Sequence, residues 1–152
     1  MQINVAPVLT AAELETVTAI WLAGNLEAHP FVDPAYWRAH QAEVRIQLGE
    51  TPLITASEAG KVIGFLGLQN DYIAGLFVTA AWQHRGVGRQ LVATAQAQHQ
   101  RLTLAVYQKN TRAVSFYCNL GFTESQRTIE PETGLVDLTM QWSHETRPSV
   151  QI

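Results

Sequence analysis

The sequence predicts an α/β domain: a single mixed, mainly antiparallel sheet of about seven strands flanked by four helices. Three observations lead there. Short runs with period-two alternation interchange along the chain with longer runs whose apolar residues recur at helical spacing. In the middle, three strand-like runs follow one another through turns too short to hold a helix, so that part of the sheet is an antiparallel meander. The 152 residues are 47% hydrophobic and 15% charged, the balance of one folded domain rather than a disordered chain. No internal repeat, low-complexity segment or second domain interrupts it. Residues 1–143 read as the domain and 144–152 as a polar tail.

The elements follow in order. The run Q-I-N-V-A-P-V alternates as a first strand. Thr10, with Glu13 three residues on, forms a capping box that opens a helix carrying Leu14, Val17, Trp21 and Leu22 and running to about Gly24. Asp33 as N-cap and Pro34 at the first helical position open a second helix with Tyr36, Trp37, Val44 and Leu48, ending at Gly49. P-L-I-T-A-S-E and K-V-I-G-F-L-G-L-Q form a hairpin across Ala59 and Gly60, and Asn70 and Asp71 turn the chain into Y-I-A-G-L-F-V-T. A third helix follows from the glycine turn, with Val87, Leu91 and Val92 on one face. The run L-T-L-A-V-Y is a short, fully apolar strand of the buried kind. T-R-A-V-S-F-Y-C-N-L-G-F is a helix closed by Gly121. Two last strands, F-T-E-S-Q-R-T and L-V-D-L-T-M-Q-W, flank the turn E-P-E-T-G.

Composition excludes several function classes. The formal charge is −3, without the basic field of a nucleic-acid partner, although Arg85, Arg89, Arg101, Lys109 and Arg112 fall in one short region. One cysteine, Cys118, allows no disulfide within the chain and no Cys-rich metal site, and the five histidines are scattered, so no metal is expected. Cys118 reads as a half-buried helix residue. The N-terminus lacks the basic and apolar segments of a signal peptide, and no apolar run approaches the ~20 residues of a membrane span. The expected location is the cytoplasm, with no membrane partner. An exposed edge at the last strands leaves both a monomer and a homodimer open.

The chemistry begins at Q-H-R-G-V-G-R, Gln83 to Arg89, between the strand L-F-V-T and a helix. The first N–H groups of a helix are unpaired and its dipole favours negative charge, so this turn is an anion site. A dinucleotide motif is a poor match, because Leu91 stands where its third glycine belongs and the turn does not follow the first strand. A phosphate-binding loop of the G-K-[ST] kind is absent. Q-H-R-G-V-G does match the Q/R-x-x-G-x-G/A signature of the GCN5-related N-acetyltransferases. Downstream, Asn110, Ala113, Phe116, Tyr117, Gly121 and Phe122 resemble the same family's N-x-x-A-x-x-F-Y-x-x-x-G-F segment. The element order agrees along essentially the whole chain, and I-W-L-A-G-N-L-E-A-H-P-F-V-D-P-A-Y-W is similar to a small bacterial single-domain branch, some of it associated with protein lysine acetylation.

The resemblance implies acetyl-CoA between two splayed central strands. It implies that the backbones of Leu76, Phe77 and Val78 bind the pantetheine arm, with the Val78 N–H aimed at the thioester carbonyl. Gln83, His84, Arg85, Gly86, Val87, Gly88 and Arg89 would enclose the pyrophosphate. Asn110 would contact the cofactor, cap its helix, or do both. Tyr117 would donate to the departing thiolate; with reference values near ~10 for tyrosine and ~8.5 for a thiol, a hydrogen bond is favoured over early proton transfer. The acceptor amine, near ~10.4 for lysine, must lose a proton. His29 is the first candidate base, with Asp71, Glu130 and Glu132 as others, and Tyr36 and Trp37 would line the acceptor pocket. The implied reaction is direct attack of an amine, on a protein lysine, an N-terminus or a small molecule, in a ternary complex. The competing class is a catalytically silent acyl-CoA-binding module; Asn110 and Tyr117 beside the glycine turn weigh for the enzyme.

Overall fold

The computed structural model describes residues 1–144; the expected polar tail lies, from residue 145 on, outside the described residues. The strands are β1 (Gln2–Val5), β2 (Leu53–Glu58), β3 (Lys61–Gln69), β4 (Tyr72–Val78), β5 (Arg101–Tyr107), β6 (Thr123–Ile129) and β7 (Val136–Ser143). They form one sheet in the order β1-β2-β3-β4-β5-β7-β6, antiparallel throughout except between β4 and β5. The four helices are α1 (Ala11–Ala28), α2 (Pro34–Glu50), α3 (Val87–Gln98) and α4 (Thr111–Asn119). Fold class, strand number and helix number are those the sequence predicts.

The local signals act as their chemistry requires. Thr10 and Glu13 make both bonds of the capping box, and Asp33 accepts from the Ala35 N–H at 2.9 Å. Ala59 and Gly60 both take positive φ, the backbone of a two-residue turn whose twist matches the hairpin it joins. Gly121, at φ +93°, closes α4.

Three expectations need correction. α1 does not stop near Gly24 but continues to Ala28. The glycine is there for packing: a Cβ at Gly24 would lie 2.6 Å from Cδ1 of Phe77. β5 is not buried on both faces; Leu102, Leu104 and Val106 are buried while Ala105 is exposed. Cys118 is exposed rather than half-buried, because α4 turns Tyr117 inward and the next residue outward.

Two cores explain the open face of β5. One lies under α3 and α4 and includes Leu91, Leu104, Tyr117 and Phe122. The other lies under α1 and α2, around Val17, Leu53 and Phe65, and reaches the sheet only at β2, β3 and the Phe77 ring of β4. Among the described residues, that second cluster takes no residue from β5 or β7.

β4 and β5 pair only at Tyr72↔Thr103 and Ile73↔Leu104, then separate. The cause is visible in the β3–β4 register. Gly67 faces Gly75 and Leu68 faces Ile73, so Ala74 is an extra residue in β4. Such a bulge bends its strand, and this one sits where β4 leaves β5.

Candidate active site

The separation of β4 and β5 opens a cleft of about 1180 Å³. Its walls come from the second half of both strands, the glycine turn, the start of α4 and the α1–α2 loop. Antiparallel pairing determines which backbone groups face it. Thr79 N–H donates to the Ile63 carbonyl at 2.8 Å, and bonded pairs alternate along an antiparallel ladder. Phe77, opposite Phe65, is therefore a bonded residue whose N–H and C=O face β3. Leu76 and Val78 direct theirs the other way, into the cleft. The Val78 carbonyl accepts from Gln83 Nε2 at 3.1 Å. Of the three expected residues, Leu76 and Val78 thus turn their backbone groups to the cleft, and the Phe77 side chain packs on Phe65 and against Gly24.

The glycine turn has the features of an anion cradle. Gly86 is the N-cap of α3 at φ +82°, a conformation that costs L-residues about 1–2 kcal/mol, and no side chain caps the helix. The first intrahelical donor is the Gln90 N–H, bonded to the Gly86 carbonyl, so the N–H groups of residues 87 to 89 carry no helical bond. A Cβ at Gly86 would meet nothing within 4 Å, which leaves room for an oxyanion, whereas one at Gly88 would lie 3.4 Å from the Phe116 ring. Gly86 thus serves the turn and Gly88 the packing of α3 on α4. His84 holds φ +62°, and its Nε2 lies 2.9 Å from Arg112 Nη2. A guanidinium only donates, so the imidazole nitrogen is the acceptor in this contact. Arg85 is turned onto the Trp82 ring, 4.9 Å from its centroid, and is the one expected cofactor residue outside the cleft wall.

α4 brings two side chains to the floor. Asn110, its N-cap, accepts from the Ala113 N–H through Oδ1 at 3.3 Å. Tyr117 is buried between Phe116 and Phe122, and its hydroxyl has no hydrogen-bond partner among the described residues. Burial alone drives its pKa well above the ordinary tyrosine value, so it stays protonated.

The opposite end is aromatic. His29, the C-cap of α1, stacks on Trp37 with centroids 5.2 Å apart and meets the edges of Tyr107 at 5.1 Å and Phe31 at 5.6 Å. Its Nε2 lies 3.4 Å from Asn110 Nδ2. Burial lowers its pKa below the ordinary 6.5, and the Asn25 carbonyl pulls weakly the other way. A helix C-terminus also favours the cation, so here desolvation outweighs the dipole. Tyr36 packs on Trp37 and His40, and burial, a bond to Glu132 and the acids nearby raise its pKa strongly.

Of the four candidate bases, His29 alone lines the cleft. Asp71 is paired with Arg101 at 3.0 Å. Glu130 accepts from the N–H groups of Glu132 and Thr133 and from the Thr133 hydroxyl; burial pushes its carboxyl up, but these bonds bring it below the usual range. Glu132 lies 3.6 Å from His40. Sequence reasoning missed Asp137, a half-buried carboxyl in the cleft wall opposite Tyr107, raised by burial and by the charge of Glu130. Its position among Val136, Leu138 and Met140 signals only an alternating strand. Among the described residues no group of three or more His, Cys, Asp or Glu side chains is placed to hold a metal ion, and no helix is long and apolar enough to cross a membrane.

Comparison with known proteins places this geometry. Residues 24–144 match the model of an acetyltransferase (GNAT) domain. The chain is 33% identical over 133 residues to the peptidyl-lysine N-acetyltransferase YiaC of Escherichia coli K12, covering 86% of this chain and 91% of that protein. It is 32% identical over 123 residues to the peptidyl-lysine N-acetyltransferase YjaB of the same organism, covering 80% of this chain and 84% of YjaB. The solution structure of apo-form YjaB superposes with a TM-score of 0.82 at 28% identity, over 93% of this chain and 98% of that one.

Proposed function

The chain belongs to the GNAT acetyltransferase family and is an acetyl-CoA-dependent N-acetyltransferase, and we propose that its acceptor is the ε-amine of a protein lysine. The observation that carries the reading is a single cleft lined by an uncapped helix N-terminus, the unpartnered Tyr117 hydroxyl and the proton-poor His29. The lysine acceptor follows from the two relatives of that activity, which this chain matches over four-fifths or more of its length.

Acetyl-CoA supplies the activated acetyl group, and the chain's residues do the rest. The unpaired N–H groups after Gly86 hold the pyrophosphate, with Arg89 and Arg112 adding charge at the rim. Leu76 and Val78 offer outward backbone groups to the pantetheine arm. The Val78 N–H, turned toward the cleft by the alternation of the β3–β4 ladder, donates where negative charge develops on the thioester oxygen. Tyr117 donates to the leaving sulfur. Burial widens the gap between tyrosine and thiol acidity, so its contribution is a hydrogen bond, with proton transfer late.

On the acceptor side, Asp137 supplies negative charge toward the incoming ammonium, while Tyr36, Trp37 and Tyr107 give the lysine stem an apolar passage. A lysine near ~10.4 holds its proton far more tightly than an imidazole below 6.5. His29 therefore does not deprotonate a resting ammonium. The amine attacks in its neutral form, its ammonium proton having passed to solvent, and His29 takes the second proton, which the attacking nitrogen releases as it becomes acidic. Initial rates of CoA thiol release, measured against lysine peptides, N-terminal peptides and small amines, test the assignment. Release that depends on lysine peptides supports it, and release only with small amines overturns it.

A further inference from the structure

We propose that Asn110 is a positioning residue for His29: its amide fixes the imidazole as the Nδ1–H tautomer and holds the Nε2 lone pair within the cleft. The proposal rests on the reading of His29 as base. It begins with the orientation of the amide. Oδ1 of Asn110 accepts the Ala113 N–H at 3.3 Å, so the helix cap determines which end of the side chain faces α4. A flipped amide would set two N–H groups against each other. Nδ2, a donor only, is thereby presented to His29 Nε2 at 3.4 Å. A protonated Nε2 would oppose it, so Nε2 is the bare nitrogen and Nδ1 bears the hydrogen.

The other side of the ring agrees. Nδ1 is buried with no hydrogen-bond partner among the described residues, and the nearby Asn25 carbonyl, which accepts the His29 backbone N–H at 3.0 Å, is an acceptor that favours a protonated ring. Trp37 stacks on one face of the ring and Tyr107 and Phe31 present edges, so rotation of the imidazole is obstructed. The Asn110 contact is long for a hydrogen bond. The nitrogen is held in register without being firmly occupied, and a better donor, the acceptor amine, displaces the amide. The capping asparagine thus links α4, which carries Tyr117, to the α1–α2 loop, which carries His29.

Among the described residues no charged side chain is paired with His29. The titratable groups around it are Tyr107 from β5, with Asp137 of β7 opposite it, Tyr36 from α2 behind Trp37, Glu27 at the end of α1, and Lys109, whose Nζ lies 5.9 Å from the Phe31 centroid. Glu130 is reached only through the Tyr107 hydroxyl. A change at Asn110 therefore acts on a ring with no competing ion pair.

Asn110→Asp keeps an N-cap oxygen for Ala113 and replaces the donor with a carboxylate oxygen. Asn110→Ser keeps a cap and removes the donor without adding charge. Long-range ¹H–¹⁵N spectra of the imidazole in the full chain report tautomer and titration directly. The wild type is expected to show the Nδ1–H form. In Asn110→Asp the pKa of His29 should rise by at least one unit, the lower end for an opposite charge so near, and the acid limb of kcat/KM should move with it. Asn110→Ser should give a mixture of Nδ1–H and Nε2–H tautomers. A predominantly Nε2–H imidazole in the wild type, or a His29 titration unchanged in Asn110→Asp, overturns the proposal. A moved titration with an unmoved acid limb confirms the coupling and overturns the reading of His29 as base.

Discussion

Tyr117→Phe separates a catalytic hydroxyl from a packing ring, because the structure gives opposite signs for activity and stability. The ring packs against Phe116 and Phe122, and phenylalanine keeps those contacts. The hydroxyl has no partner among the described residues, so no protein hydrogen bond is lost. Removing a desolvated, unpaired polar group relieves a cost, and up to about 1 kcal/mol of stabilisation corresponds to a Tm higher by roughly 2–4 °C for a domain of this size. During turnover the same hydroxyl faces the departing thiolate. A hydrogen bond to a charged group contributes about 1.5–3 kcal/mol, so kcat should fall roughly 10- to 150-fold. KM for acetyl-CoA should hold, since the bond strengthens only as the sulfur gains charge. Steady-state kinetics with differential scanning calorimetry measure both. An unchanged kcat, or a loss of activity that tracks a fall in Tm, would refute the reasoning and make Tyr117 a core residue only.

Gly24→Ala should cost about 1–3 kcal/mol, because the new Cβ would lie 2.6 Å from the Phe77 ring; the double variant with Phe77→Leu should recover most of it in chemical denaturation. Gly86→Ala should lower stability by roughly 1–2 kcal/mol, as left-handed backbone at +82° is strained with a side chain; an unchanged midpoint in chemical denaturation would contradict that conformation at the start of α3. His29 has a folded pKa below the ordinary 6.5, so the unfolded chain takes up a proton first as pH falls. The stability it contributes is full above about 6.5 and lost as pH falls through the folded pKa. His29→Gln should accordingly flatten Tm against pH between about 7 and 5, and an equally steep curve would contradict the assigned shift.

Much of the architecture is legible in the chain because its signals are local. A capping box, an Asp-Pro helix start and an Ala-Gly turn each fix their own few residues. The cleft is legible only through resemblance, since the bulge at Ala74 that opens it leaves no periodic trace in Y-I-A-G-L-F-V. Gly24 looks like a helix terminator and is instead a seat for Phe77, a partner more than 50 residues away. Asp137 and Tyr107 read as ordinary alternating strand residues; they become cleft residues because the core under α1 and α2 ends at Phe77 of β4 and draws on neither β5 nor β7 among the described residues. His29 could be named as a loop histidine, but its low pKa depends on Trp37, Phe31 and Tyr107 closing around it.

Direct attack without an acyl-enzyme is the central claim, and rapid-quench measurement of CoA release at enzyme concentrations near those of acetyl-CoA tests it most directly. With acetyl-CoA alone, no burst of thiol should appear and the intact mass of the protein should be unchanged. Adding a lysine peptide should start CoA release and amide formation at equal rates from the first turnover. A stoichiometric burst without acceptor, with an acetyl group found on Cys118 or another side chain and then passed to peptide, would contradict the account.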